Sequence, residues 1–88
     1  MEFEWDEAKN EANMAKHGID FDDAIHIFTG RIFERVDNRR AYGETRTSAI
    51  GVASGQELVV VYTMRGQVCR IISARRARRD ERRAYRQA

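Results

Sequence analysis

Two arginines stand where paired guanidinium groups could act on one phosphate. Arg46 falls near the start of one expected strand and Arg70 near the start of another. Leaving a common sheet face, they can hold a phosphate by paired hydrogen bonds and stabilise charge growing on it. The competing reading is that each pairs with an acid of the N-terminal region, such as Glu4 or Asp6, and ties the fold. Idle arginines among apolar neighbours would be desolvated at a cost of a few kcal/mol, so either reading gives them a partner.

Other residues offer further chemistry. His17, beside Lys16, can move a proton near neutral pH while Lys16 supplies charge; equally, the two can be a cationic helix end favoured by the helix dipole. The run Arg75, Arg76, Arg78, Arg79, Arg82, Arg83 and Arg86 can track a nucleic-acid backbone, with Arg65 as an outlying contact, or it can be a solvated face or a docking strip for an acidic partner. Tyr62, Tyr85 and Tyr42 can stack a base or donate a proton. Tyr85 also fits a packing role, as does Trp5, and His26 reads as structural or exposed. His17 and His26 lie on different expected helices with no cysteine beside them, so no metal constellation is expected. There is no Gly-rich phosphate loop and no nucleophile motif. Metal-free, cofactor-free acid–base and electrostatic catalysis is the enzymatic option left. RNA cleavage suits it, because the 2′-hydroxyl is an internal nucleophile and arginines can stabilise a phosphorane-like transition state.

Composition narrows the setting. The chain has 88 residues and a formal charge of +2, one domain's worth of sequence with a modest core. The small net charge hides a strong asymmetry: residues 1–30 carry −6 and residues 70–88 carry +6. One cysteine, Cys69, forbids an internal disulfide, which fits a reducing cytoplasm. Neither a signal peptide nor a membrane span is expected.

These side chains must be positioned by recognisable elements. Residues 3–5 read as a short strand. Asp6 can cap a helix over residues 6–17, with Ala8, Ala12 and Ala15 as a slim apolar stripe and Gly18 as terminator. Asp20 caps a second helix in which Phe21, Ala24, Ile25 and Phe28 share a face, ended by Gly30. Strand-like periodicity follows over residues 31–37, 44–52, 58–63 and 68–74, with residues 38–43 as a charged turn. Ser54-Gly55 and Arg65-Gly66 read as two-residue hairpin loops. That register puts Thr45, Thr47, Ala49, Gly51, Leu58, Val60, Tyr62, Cys69, Ile71 and Ser73 on one face. The other carries Arg46, Ser48, Ile50, Val52, Val59, Val61, Thr63, Val68, Arg70 and Ile72. The last strand passes straight into a terminal helix at Ser73 or Ala74, held down by Ala77, Glu81, Ala84, Tyr85 and Ala88. The expected class is α+β: two N-terminal helices, an antiparallel meander of about four strands with a possible short N-terminal strand, and a C-terminal helix.

Two stretches carry a family resemblance. Phe3-Glu4-Trp5-Asp6-Glu7-Ala8-Lys9-Asn10, then Asn13, Lys16-His17-Gly18-Ile19, Phe21, Ala24 and Phe28, resembles the opening of the BrnT toxins. So does Arg70-Ile71-Ile72-Ser73-Ala74-Arg75-Arg76-Ala77 with Glu81 and Tyr85. Arg46 with Ala49-Ile50-Gly51, and the Val-Val-Val-Tyr-Thr run ahead of Arg65, also fit. Arg31-Ile32-Phe33 departs from the more acidic, Pro-containing strand start of the family. The resemblance implies a RelE-like fold and a bacterial type II toxin with ribonuclease activity that halts translation. It implies neutralisation by a cognate BrnA-like antitoxin with a ribbon-helix-helix part, operator DNA being met only through the complex. Lys16, His17, Arg46, Arg70, Arg75 and Tyr85 are the matching positions expected to serve catalysis; Arg65, Arg78, Arg79, Arg82 and Arg83 are expected to bind RNA or antitoxin. The alternative is a basic nucleic-acid- or protein-binding module without catalysis.

Overall fold

The computed structural model describes residues 1–37 and 43–88; Tyr42 and most of the expected charged turn lie outside the described residues. Strand β1 (Glu2–Glu4) leads into helix α1 (Glu7–His17). Helix α2 (Phe21–Ala24) continues as a 3₁₀ turn (Ile25–Thr29). Strands β2 (Phe33–Asp37), β3 (Arg46–Ala53), β4 (Gln56–Arg65) and β5 (Val68–Arg76) follow, then helix α3 (Arg79–Gln87). The five-stranded sheet has the order β1-β5-β4-β3-β2. β2 to β5 form the expected antiparallel meander, while β1 pairs parallel to β5, so the sheet is mixed. The α+β class holds. No helix among the described residues is long and apolar enough to cross a membrane.

The helix ends form as their residues dictate. The Asp6 carboxylate accepts from the Ala8 and Lys9 amides at 2.8 and 3.3 Å, and Gly18 closes α1 at φ 70° with its amide on the Met14 carbonyl. Asp20 accepts from the Asp22 amide at 3.0 Å. The inner face of α1 is not the alanine stripe. Ala8, Ala12 and Ala15 are exposed, and Asn10 and Asn13 are buried instead. The reason is what α1 meets. Asn13 Nδ2 donates to the Ala74 and Ile19 carbonyls at 2.8 and 2.9 Å, and its Oδ1 accepts from the Ala74 amide at 3.1 Å. Asn10 Oδ1 accepts from the Phe21 amide and its Nδ2 donates to Asp20. The helix lies against backbone polar groups, whose N–H and C=O an amide side chain can satisfy together.

One sheet face packs on α2 and the 3₁₀ turn. Phe21, Ala24 and Ile27 bury there against Ala49, Leu58, Val60, Tyr62, Cys69, Ile71 and Ala74. Trp5 stacks edge-on to Phe21, Phe3 on Phe28, and Phe28 edge-on to Tyr62. A Cβ at Gly51 would come within 2.8 Å of the Ile27 Cβ, so the absent side chain lets the 3₁₀ turn seat directly on β3. Burial pushes the Cys69 thiol up to about 11, which keeps it a protonated core group.

The hairpins explain the faces. Ser54 and Gly55 both have positive φ, a two-residue turn of the expected kind, and the β3–β4 register follows from it. The second loop is Gly66-Gln67, not Arg65-Gly66, because Arg65 pairs with Val68. The shift moves pairing by a whole pleat, so the faces survive up to Ile71. A bulge then intervenes: Tyr62 pairs with Ile71 but Val61 with Ser73, leaving Ile72 unmatched. Ser73 thereby changes face relative to expectation, and Ala74 turns into the core. Strand β5 runs on to Arg76, so α3 starts at Arg79 rather than at Ser73 or Ala74; the Ala77 amide still bonds to the Glu57 carbonyl at 2.9 Å, which delays the helix.

Replacing Asn13 by Ala strands both polar groups of Ala74. Chemical denaturation of Asn13→Ala is expected to show a loss of about 2–3 kcal/mol; a change below about 0.5 kcal/mol, the range of an ordinary surface substitution, would show that α1 is not held by this pairing.

Candidate active site

The second sheet face is covered at one end only. Ile50 and Val59, with Phe33 beside them, bury under Ala77 and Tyr85 at the α3 end. The rest of this face is only partly covered, with Thr63 buried and Arg46, Ser48, Arg70 and Ser73 half-buried, and the register sets its residues in rows across the strands. Asp37 stands beside Arg46, and Thr63 beside Arg70, which neighbours Glu4. The next row holds Arg35, Ser48, Val61 and Ser73. Arg75 follows beside Val59. A depression of about 390 Å³ is floored by Ser48, Val59, Val61 and Ser73 and rimmed by Arg35, Arg75 and Arg78.

Two of the better-buried cations, Arg70 and Arg75, are aimed by an acid. Arg70 donates to Glu4 at 2.8 Å, with side chains 24% and 40% exposed. This is the fold-tying contact that the sequence allowed for Arg70, yet it leaves the guanidinium on the open face. Arg46 is half-buried opposite Asp37. Arg75 donates through both terminal nitrogens to Glu81 at 2.7 and 2.8 Å, a two-bond geometry that fixes the guanidinium plane. The Arg75 hydrogen bonds, helped by the Arg78 amide, hold the Glu81 carboxyl down at about 2 against the cost of its burial. Glu81 therefore caps α3 through the Arg78 amide and orients Arg75 at once.

The remaining expected residues, Arg78 excepted, fall elsewhere. Lys16 and His17 end α1 on the β5 side; among the described residues no hydrogen bond or ion pair joins them to the arginine face. The Tyr85 hydroxyl donates to the Arg31 carbonyl at 2.9 Å, and the Arg31 guanidinium lies 4.1 Å from the ring centroid, so Tyr85 anchors α3. Arg65 is exposed at the far end of β4, 3.9 Å from Glu44. Arg78 lines the depression. Arg79, Arg82 and Arg83 sit on the outside of α3. The Tyr62 hydroxyl donates to Glu34 on the core face and is raised by burial and that carboxylate. Among the described residues no three His, Cys, Asp or Glu side chains gather as a metal site.

Residues 5–81 match the model of a family described as the ribonuclease toxin BrnT of type II toxin–antitoxin systems. The chain belongs to the BrnT family. No individual curated protein matches it. The match runs from Trp5 to Glu81, and so takes in all of the arginine face from β2 to β5 and ends on the carboxylate that holds Arg75. For a BrnT family member, whose description is that of a ribonuclease, an open sheet face carrying cations suits a phosphodiester substrate. Arg35, Ser48 and Ser73 belong to this face; the sequence register placed Ser48 there but left Arg35 unassigned and put Ser73 on the other face. Arg35 and Ser48 were legible from strand alternation, while Ser73 needed the bulge.

The depressed Glu81 carboxyl makes a pH prediction. Its stabilising effect is complete above the ordinary Glu range and is lost as pH falls from about 4.5 towards about 2. Thermal melts of the wild type should therefore drop more steeply over this window than those of Glu81→Gln. Parallel curves would mean that the Arg75–Glu81 pair adds nothing to the fold.

Proposed function

We propose that this chain is a metal-independent endoribonuclease toxin that cuts RNA on the open arginine face and thereby inhibits translation. The supporting observation is that Arg46, Arg70 and Arg75 share one sheet face, on which Arg75, with Arg35 and Arg78, lines a depression bearing Ser48 and Ser73. The reaction that suits these groups needs no protein nucleophile. The RNA 2′-hydroxyl attacks the adjacent phosphorus and gives its proton to a base. The bond to the 5′-oxygen breaks and that oxygen takes up a proton. The products are a 2′,3′-cyclic phosphate and a 5′-hydroxyl end. Negative charge peaks on the non-bridging oxygens, where guanidiniums already oriented by Glu4 and Glu81 stabilise it without rearranging. The Ser73 hydroxyl can donate to the same oxygens, while that of Ser48 donates to the Arg35 carbonyl at 3.4 Å.

The partner in this reading is a cognate antitoxin of the BrnA type with a ribbon-helix-helix part, and operator DNA is contacted only by the complex. The protein acts in the cytoplasm. The family description supports an antitoxin partner, the charge asymmetry a charged one, and the lone cysteine fits a reducing cytoplasm. The competing reading, a basic binding module, requires the same face to hold RNA without cutting it.

Purified protein in EDTA is expected to cleave RNA to ends bearing a cyclic phosphate. Arg70→Ala and Arg75→Ala, each checked by thermal melting for an intact fold, should each lose about 10²-fold in rate, or about 3 kcal/mol, and should no longer arrest growth. Full activity in both variants would refute the site. Intact RNA bound by wild-type protein, with no growth arrest on induction, would select the binding module.

A further inference from the structure

The cleavage face does not account for the outer side of α3. Arg79, Arg82, Arg83 and Arg86 recur at i, i+3, i+4 and i+7, which places them in one stripe. They line a shallow groove with Gln87 and no apolar side chain. The opposite side of the helix, with Ala77 and Tyr85, is buried. Within the stripe the charges differ. Arg86 donates to Glu57 at 2.7 and 3.2 Å, and Arg82 donates to the Ala77 carbonyl at 2.8 Å. Arg79 and Arg83 are exposed and make no hydrogen bond or ion pair among the described residues.

Folding does not call for this arrangement. Like charges three and four residues apart weaken a helix, and α3 is nine residues long, short enough to be marginal alone. Arg82 and Arg86 are held by polar contacts, and the guanidiniums of Arg79 and Arg83 are left exposed to solvent. The stripe also starts where the cleavage face ends, since Arg78 rims the depression and Arg79 is the next residue.

We propose that the Arg79–Arg83 stripe binds the sugar–phosphate backbone of the RNA strand beyond the linkage that is cut. The inference rests on the ribonuclease reading for its substrate, but its binding is measured separately. A protein partner is the weaker match, because the centre of a protein–protein interface is enriched in apolar area and depleted of charge, whereas this groove has only cations and one amide. Phosphates need nothing more than regularly spaced cations, and the binding they give is independent of base sequence.

The probe is a single-stranded 2′-O-methyl oligoribonucleotide of about 20 nucleotides, which lacks the internal nucleophile and stays intact. Its affinity is measured against salt for the wild type, for the double variant Arg79→Ala/Arg83→Ala, and for Arg79→Lys/Arg83→Lys. Two phosphate contacts correspond to about 1.4 in the slope of log K against log salt. Between 50 and 200 mM salt the wild type should thus lose about sevenfold more affinity than the alanine variant. The lysine variant, which keeps the charges, should retain the wild-type slope. A probe of about four nucleotides, too short to leave the cleavage face, should bind wild type and alanine variant alike. Alanine favours helix more than arginine does, so a weakened variant with unchanged thermal melting has lost contacts, not its fold. The proposal is overturned if the long probe shows equal slopes for wild type and alanine variant, and equally if only antitoxin binding falls. Wild type that shows the full slope yet cuts no RNA would refute the ribonuclease reading and leave the stripe standing.

Discussion

The structure depends on one side chain doing the work of a neighbouring strand. Past Arg70, β5 has no strand on its outer side among the described residues, since β1 pairs only with Val68 to Arg70. An open sheet edge in the middle of a protein leaves backbone groups dry and unsatisfied, or invites another chain to pair. Asn13 prevents both. Its amide presents a donor and an acceptor to the carbonyl and N–H of Ala74, as a peptide unit would. A third bond, to the Ile19 carbonyl, ties the connection between α1 and α2 to the same point. Asn10 repeats the device one turn earlier against the start of α2. Two asparagines thus set where both N-terminal helices sit, and only then can Phe21 and Ile27 reach the core.

The bulge at Ile72 is the second constraint, and it acts on the opposite face. Without it, strict alternation from Arg70 would leave Ser73 and Arg75 pointing into the apolar layer with Cys69 and Ile71. The extra residue flips the remainder of β5, so that Ala74 enters the core and Ser73 and Arg75 join Arg46 and Arg70 outside. One irregularity therefore settles both the tight packing beneath the sheet and the cationic surface above it. Glu81 completes the arrangement, because capping α3 and gripping Arg75 are the same act.

Much of this was readable from residue types. Caps at Asp6 and Asp20, the terminator at Gly18, the Ser54-Gly55 turn and the β-branched centre of β4 each rest on local chemistry, and each stands where the sequence puts it. The pairing of Arg46 and Arg70 on one face followed from alternation together with two two-residue hairpin loops. What could not be read was non-local. The alanines of α1 looked like its inner face because apolar spacing signals burial only when the neighbour is apolar, and here the neighbour is a bare strand edge. The bulge has no glycine or proline to mark it. The true end of β5 was hidden because Ser73 and Ala74 suit a helix, while the bond from Ala77 to Glu57 that keeps the chain extended comes from another strand.

The strand order has a consequence in time as well as in space. β1 and β4 are neighbours only through β5, and β5 is the last strand to be made. A chain growing from its N-terminus can close the Ser54-Gly55 hairpin early, since its partners are adjacent in sequence. The seat for Asn13 lies 61 residues away and does not exist until Ala74 has emerged. Arg70 and Arg75 arrive on the same strand, followed at once by the helix that brings Glu81. The strand that carries Arg70 and Arg75 is therefore also the one that links β1 to the rest of the sheet.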